Sequence, residues 1–110
     1  MKIELYTTPS GRSPVADFLS SLPEPARALG EVVIEMLAQG ELDSRPRHRD
    51  DIGNGLWELR WSWLRLQYRI LYRTSHDTAW LLDAFVKKQQ KTPTDRIELA
   101  DKRWREIDKS

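Results

Sequence analysis

The chain has 110 residues and contains no cysteine and only two histidines. Without cysteine it has neither disulfides nor thiolate metal sites, which fits the reducing cytoplasm. It also lacks an apolar run long enough for a membrane span or a signal peptide, so we expect a soluble cytoplasmic protein without a membrane partner. A chain of this length buries one modest core, and we expect a single domain over residues 1–110.

The motifs that usually mark a metal or nucleotide site are also missing. The two histidines, His48 and His76, fall in separate predicted loops, and no predicted helix carries two metal ligands at positions i and i+4. There is no glycine-rich phosphate loop and no nucleophile elbow. We therefore expect no metal and no cofactor.

What the chain does have is an uneven distribution of charge. The total is +1, but residues 1–44 carry −4 and residues 45–93 carry +5, while residues 94–110 are balanced. A local basic field attracts an anionic partner even when the whole protein is nearly neutral. Chance clustering in a chain with 32% charged residues is the plain alternative.

The hydrophobic pattern predicts one strand and two helices in the first part of the chain. Residues 2–7 alternate apolar and polar side chains, as a strand does. Ser13 and Pro14 predict the start of a helix, because they combine a capping residue with proline at the first helical position. Pro23 opens a second helix and Gly40 ends it, so the two helices form an αα-hairpin.

The second part of the chain predicts a meander and a last helix. Residues 41–55 are polar and predict a long loop. Three strands joined by short turns follow, at Leu56–Trp61, Leu66–Thr74 and Thr78–Phe85. The sequence Thr-Pro-Thr-Asp from position 92 resembles a capping box and predicts a helix start. We therefore expect an α+β fold, β-αα-βββ-α, with an N-terminal αα-hairpin and a C-terminal helix on one face of a small antiparallel sheet.

Cations on the predicted strands are the strongest functional signal. Arg60 lies on the first strand of the meander and Arg69 on the second, and Lys87, Lys88 and Lys91 follow at the end of the third. If the aromatic sides of these strands face the helices, the two arginines emerge together on an open face. Such a basic face is suited to binding phosphates.

Each of these signals has a plainer explanation. The two strand arginines would pair across strands with Glu58 and Asp83, as charged strand residues commonly do.

Trp61 or Trp63 is placed to stack on a base, although core packing accounts for most tryptophans. The predicted loop adds a basic stretch that is either solvated or in contact with nucleic acid: Arg45, Arg47, His48 and Arg49.

Three blocks of this sequence resemble one known family. They are the Gly-Leu-Trp-Glu-Leu-Arg block at 55–60, the Tyr-Arg-Ile-Leu-Tyr block at 68–72, and the segment from Phe85 to Pro93 with its lysines. Together with the Ser-Pro-Val and Phe-Leu residues of the first helix, they resemble the RelE/ParE superfamily of toxins from bacterial toxin–antitoxin modules. The closest similarity is to the HigB-like, phage-derived branch, and it extends over nearly the whole chain.

The resemblance implies a RelE-like fold and a toxin of a type II toxin–antitoxin module. Such a protein would be a metal-independent endoribonuclease, an mRNA interferase that cuts mRNA on the ribosome and arrests translation. Its partner would be a cognate antitoxin with a helix-turn-helix domain, in a possible hetero-oligomer. By position, the resemblance implies that the catalytic residues are Arg69, Lys87 and Lys88, and that substrate is bound by Arg60, Lys91, Arg73 and His48.

Two other functions fit the same resemblance. The ParE branch inhibits DNA gyrase and cuts no RNA, and the lysines at 87, 88 and 91 favour RNA over such a protein target only modestly. A prophage-derived relic would bind its antitoxin and have no activity of its own, because fold and site need not stay together.

Among relatives, glycines are often found in the first turn of the meander, and the turn at Leu64 and Arg65 lacks them.

Overall fold

A computed structural model provides the structure of this chain. It describes residues 1–42, 49–53, 55–88 and 91–109, with the backbone alone at positions 49 and 50. No helix in these ranges is both long and apolar enough to cross a membrane.

Eight elements follow one another in the described parts of the chain. The three helices are α1 (Pro14–Ser20), α2 (Glu24–Ala38) and α3 (Thr94–Asp108). The five strands are β1 (Lys2–Leu5), β2 (Arg49–Gly53), β3 (Leu56–Trp63), β4 (Leu66–Ser75) and β5 (Thr78–Lys87). The predicted α+β class, the αα-hairpin, the meander and the C-terminal helix are confirmed.

The sheet is mixed and has the order β1-β5-β4-β3-β2. The predicted meander β3-β4-β5 is antiparallel throughout, but β1 lies parallel to β5, next to Thr78–Leu81. The expectation of a wholly antiparallel sheet is therefore corrected at this edge. The chain passes through α1, α2 and three further strands before it returns beside β1, which allows the two strands to run in the same direction.

The predicted loop over residues 41–55 contains a strand that the sequence pattern did not indicate. Strand β2 pairs antiparallel with β3, with Arg49 opposite Leu59 and Asp51 opposite Trp57. It is polar because it forms an edge of the sheet, where side chains need not alternate between core and solvent. Edge strands with charged side chains resist pairing with other chains, and their sequence resembles that of a loop.

The helices cover both faces of the sheet, so the prediction that they all lie on one face is wrong. On the first face, which we call the hairpin face, Val15 of α1 and Val33 of α2 pack with Ile70 of β4. On the other face, which we call the α3 face, Ala100 of α3 packs with Leu71. Neighbouring strand residues point to opposite faces, so consecutive apolar residues of β4 supply two separate cores.

Local signals explain how the hairpin is positioned. The Ser13 hydroxyl accepts a hydrogen bond from the Ala16 amide at the start of α1, as predicted. Gly40 follows the end of α2 with a φ of +73°, a conformation that glycine adopts at little cost. In the middle of α2, a Cβ at Gly30 would lie only 2.6 Å from the ring of Trp61, so glycine allows α2 to approach β3 closely.

Candidate functional site

Charged residues line up in adjacent rows on the α3 face of the meander. In one row Glu58 lies opposite Leu71, which in turn lies opposite Asp83. In the next row on the same face, Arg60 lies directly opposite Arg69. Two like charges in directly opposed positions, with Cβ atoms about 5 Å apart, destabilise a sheet unless another group compensates them.

Glu58 provides that compensation from a fully buried position. Its side chain is 1% exposed, and its Oε1 lies 2.9 Å from Arg69 Nε and 4.0 Å from Lys87 Nζ. The cross-strand pairing of Arg69 with Glu58, which the sequence left open as an alternative, is therefore confirmed. A carboxylate buried between two cations needs their charges and hydrogen bonds to replace the water that it has lost.

The second oxygen of Glu58 is bound by a residue that the sequence assigned to another role. Thr92 Oγ1 donates a hydrogen bond of 2.5 Å to Glu58 Oε2. The predicted capping box is wrong here, because α3 begins at Thr94 and its N-cap, Pro93, makes no side-chain capping bond. Thr92 instead attaches the segment before α3 to the centre of the sheet.

Arg69 is buried, and the expectation that it emerges on an open face is wrong. Its side chain is 7% exposed. Besides the contact with Glu58, its Nη1 donates to the Tyr68 carbonyl at 2.9 Å and its Nη2 to Gln67 Oε1 at 3.4 Å. Arg69 therefore forms the floor of the site, where its positive charge influences the side chains that surround it.

The more accessible cations surround this floor. Lys87 is 13% exposed and Arg60 is partly exposed, while Lys88 and Lys91 are exposed in the segment that leads to α3. We call Arg60, Arg69 and Lys87 the cation patch. Counted with Glu58, these described side chains carry a net charge of +2. The structure thus brings together three of the predicted site residues and places two more nearby in the chain.

One predicted site residue, Arg73, does not join the patch, and another, His48, is not among the described residues. The guanidinium of Arg73 lies over the ring of Trp104 in α3, 5.1 Å from its centroid, and so helps to dock that helix. Arg73 is four positions along β4 from Arg69, a separation of about 13 Å. His48 lies outside the described residues, as do Arg45 and Arg47 and the side chain of Arg49.

The tryptophans near the end of β3 belong to the hairpin face. Trp61 is 5% exposed, and its Nε1 donates a hydrogen bond of 2.9 Å to the Ala26 carbonyl of α2. Trp63 is half-buried and packs against the same core. Core packing, the plainer of the two sequence explanations, accounts for both residues, and the stacking of Trp61 on a base is ruled out by its burial.

Asp83, at the other end of the Glu58 row, binds cations from a helix. Arg96 Nη1 and Arg103 Nη1 each lie 3.3 Å from its Oδ1. The alternative offered by the sequence, in which Asp83 pairs with a strand arginine, is therefore wrong. The pKa of Asp83 is raised, because burial outweighs the opposing attraction of Arg96 and Arg103. Both arginines also lie over rings, those of Phe85 and Tyr6 respectively, so the interaction docks α3.

Sequence reasoning missed the central roles of Glu58 and Thr92. A glutamate at a strand position facing the same side as Arg60 was a usable signal, because an acidic residue next to opposed arginines is needed to offset them. Thr92 gave no such signal, since its partner is 34 positions away. Within the described ranges, no group of three acidic or histidine side chains is arranged to hold a metal ion.

The fold and the patch define a small α+β protein with a basic centre on one sheet face. Residues 17–105 match the family described as phage derived protein Gp49-like (DUF891). The match covers most of the chain, so the protein belongs to this family, which is RelE-like and toxin-like. No curated protein matches the chain.

Proposed function

We propose that this protein is a HigB-like toxin of a type II toxin–antitoxin module and that it cuts mRNA on the ribosome. One observation carries the proposal: Arg60 and Arg69 lie directly opposite each other on β3 and β4, with Lys87 nearby. Glu58 offsets only part of the repulsion between such like charges, since Arg60, Arg69, Lys87 and Glu58 together carry a net charge of +2. These cations are suited to a ligand that brings several negative charges, as a phosphodiester backbone does.

The proposed reaction is cleavage of RNA in which a ribose 2′-hydroxyl of the RNA itself is the nucleophile. The 2′-oxygen attacks the neighbouring phosphorus, the bond from phosphorus to the 5′-oxygen breaks, and the products carry a 2′,3′-cyclic phosphate and a 5′-hydroxyl. One proton leaves the 2′-hydroxyl and one reaches the departing 5′-oxygen. The phosphorane between these steps carries extra negative charge, and preorganised cations stabilise it.

The residues of the patch take different parts in this proposal. Arg60 and Lys87, which are both more exposed than Arg69, are the proposed phosphate ligands. The Arg60 guanidinium can bind two phosphate oxygens at once, and the Lys87 ammonium acts as a point charge. Arg69, which is buried beneath these two residues, contributes its positive charge without being a direct phosphate ligand. Lys88 and Lys91 bind neighbouring phosphates of the strand, and proton transfer falls to Lys87 or Lys88.

Glu58 is a positioning residue in this scheme. Both of its oxygens are already engaged, one by Arg69 and the other by Thr92, and its side chain is 1% exposed. A general base must come within hydrogen-bond reach of the proton it removes. Glu58 instead holds the two cations in place and limits their mutual repulsion.

The partner in this proposal is a cognate antitoxin with a helix-turn-helix domain, and the substrate is mRNA in the ribosome. Membership of a phage-derived, toxin-like family supports both. The experiment is induced expression in bacteria with transcriptome-wide mapping of mRNA 5′ ends. Three forms are compared: the wild type, Lys87→Gln, and Lys102→Gln as a matched control on the exposed side of α3.

We expect new 5′ ends in translated frames for the wild type and the control, and a loss of about 100-fold or more with Lys87→Gln, since removal of one preorganised group that stabilises transition-state charge costs about 10²–10³ in rate. Lys87 is preferred to Arg69 because removal of buried Arg69 would also unfold the protein. Growth arrest without new ends would replace the proposal with inhibition of gyrase. The absence of any arrest would favour an inactive, antitoxin-binding relic.

A further inference from the structure

A groove lies next to the cation patch, at the edge of the sheet between α1 and α3. Its volume is about 480 Å³, which is within the range of small-ligand sites. Phe18 of α1 forms one side, and Pro93, Asp95 and Arg96 at the start of α3 form the other. Its floor is the end of β5, and the residues there are Ala84, Phe85, Val86 and Lys88.

The floor of this groove is an open strand edge. In the described part of the chain, β1 pairs only with Thr78–Leu81, so the second half of β5 pairs with β4 on one side and with no strand on the other. An edge strand turns alternate peptide N–H and C=O groups away from its neighbour. The Leu82 carbonyl already accepts from Arg103 Nη1 and the Ala84 amide donates to Asp83, so the backbone groups nearer Val86 are those that the groove can offer to a ligand, between an aromatic ring and a guanidinium.

The two sides of the groove suit the flat face of a base. Phe18 is half-buried and held by an edge-on contact with Tyr68, with ring centroids 6.5 Å apart. Arg96 is 40% exposed, and its guanidinium is held by Asp83 above the ring of Phe85, 5.3 Å from the centroid. Single-stranded RNA is commonly recognised by stacking on aromatic and arginine side chains and by hydrogen bonds to base edges.

We propose that this groove binds one nucleobase of single-stranded RNA, next to the nucleotide whose phosphate lies on the cation patch. Phe85 is the direct cross-strand partner of Arg69, so the groove and the patch are neighbours on adjacent strands. Lys87 points to the patch, and the next residue, Lys88, lines the groove. A strand that crosses the end of β5 passes from one to the other.

This inference rests on the proposed function and adds a base-binding subsite to it. An extended peptide added to the β5 edge is the competing occupant, since open edges accept strands. The nucleotide fits better for two reasons. The groove is bounded at both sides by ring-like groups, and the nearest exposed cations, Lys88 and Lys91, suit phosphates on either side of a bound base.

The test measures binding of a short 2′-O-methyl oligoadenylate, which the proposed cleavage cannot cut. It is compared with oligonucleotides that are abasic at one position each, by fluorescence anisotropy. The variants are Phe18→Leu, which keeps an apolar side chain but removes the ring, and Val32→Ala as a control at an exposed position of α2. Backbone amide NMR of Ala84, Phe85 and Val86 gives a second readout that needs no variant.

We expect one abasic position to weaken binding about tenfold in the wild type and in the control, and to have no such effect in Phe18→Leu. The three groove amides should shift with the intact oligonucleotide. A penalty that persists in Phe18→Leu, or no penalty at any position, would overturn the base subsite while leaving RNA binding by the patch intact. No binding at all would defeat the proposed function as well. Amides that respond only to an extended acidic peptide would assign the edge to strand addition.

Discussion

Glu58 and Asp83 are buried in the same row of the α3 face, on either side of Leu71, yet they bind cations from different parts of the chain. Glu58 binds Arg69 and Lys87, which belong to the sheet itself. Asp83 binds Arg96 and Arg103, which belong to α3. One carboxylate therefore organises a basic surface, and the other attaches a helix.

The exposure of the cations separates the two clusters energetically. Arg69, the nearer partner of Glu58, is 7% exposed, whereas Arg96, one partner of Asp83, is 40% exposed; Lys87 and Arg103 are alike at 13% and 15%. A cation that water reaches can be rehydrated when its carboxylate is lost, but a buried cation cannot. Loss of Glu58, which leaves buried Arg69 without its counter-charge, should therefore cost more than loss of Asp83, whose partner Arg96 is open to water.

The largest expected effect is that of Glu58→Gln. It keeps the shape of the side chain but leaves Arg69 buried without its counter-charge, directly opposite Arg60. We expect a loss of about 3–5 kcal/mol in the free energy of unfolding, measured by urea denaturation. A loss below about 1 kcal/mol would show that the cations of the sheet do not depend on Glu58.

A smaller effect is expected from Thr92→Val, which has almost the same shape but no hydroxyl. A buried oxygen of Glu58 then loses its donor, at a cost of about 1–3 kcal/mol. Thr92→Ser restores the donor and should restore most of the stability. If Thr92→Ser is as unstable as Thr92→Val, packing of the methyl group matters and the hydrogen bond does not.

Asp83→Asn should cost about 1 kcal/mol or less, in contrast to Glu58→Gln. The raised pKa of Asp83 means that its surroundings disfavour the charge despite the two arginines, so a neutral side chain of equal size is tolerated. Urea denaturation of both variants under the same conditions provides the comparison. A cost as large as that of Glu58→Gln would remove the distinction between the clusters.

The smallest effect concerns pH and the carboxyl group of Asp83. Because its folded pKa is raised, the folded state binds a proton more readily than the unfolded chain does. Its contribution to stability therefore increases as the pH falls from the raised pKa towards the ordinary value, and decreases as the pH rises through that window. Wild type should gain stability relative to Asp83→Asn on acidification. A relative loss on acidification would reverse the sign and contradict the raised pKa.

Much of the fold could be predicted from periodicity and capping. The alternation in β3 to β5 and the Ser13-Pro14 start of α1 act locally, so the sequence pattern reports them directly. Strand β2 could not be recognised, since an edge strand with few buried side chains carries no alternation. The sequence also did not indicate the face of the sheet against which α3 packs, because a sheet with two apolar faces can be covered by a helix on either side.

The site was predictable in composition but not in arrangement. Arg60, Arg69 and Lys87 were identified from their strand positions, whereas the burial of Arg69 depends on Glu58 and on Gln67. Asp83 illustrates a second limit. A register shift places Leu71 opposite Asp83 but Tyr72 opposite Leu81, so simple alternation counted from Leu81 assigns Asp83 to the wrong face.

The most direct test of the division of roles is the salt dependence of RNA binding by the purified protein. The probe is again the 2′-O-methyl oligoadenylate, with wild type, Lys87→Gln and Asp83→Asn compared. For a single strand, each lost phosphate contact reduces the slope of log K against log salt by about 0.7. We predict this reduction for Lys87→Gln and an unchanged slope for Asp83→Asn. An unchanged slope for Lys87→Gln, or an equal reduction in both variants, would contradict the assignment of the phosphate contacts to the Glu58 cluster and not to the Asp83 cluster.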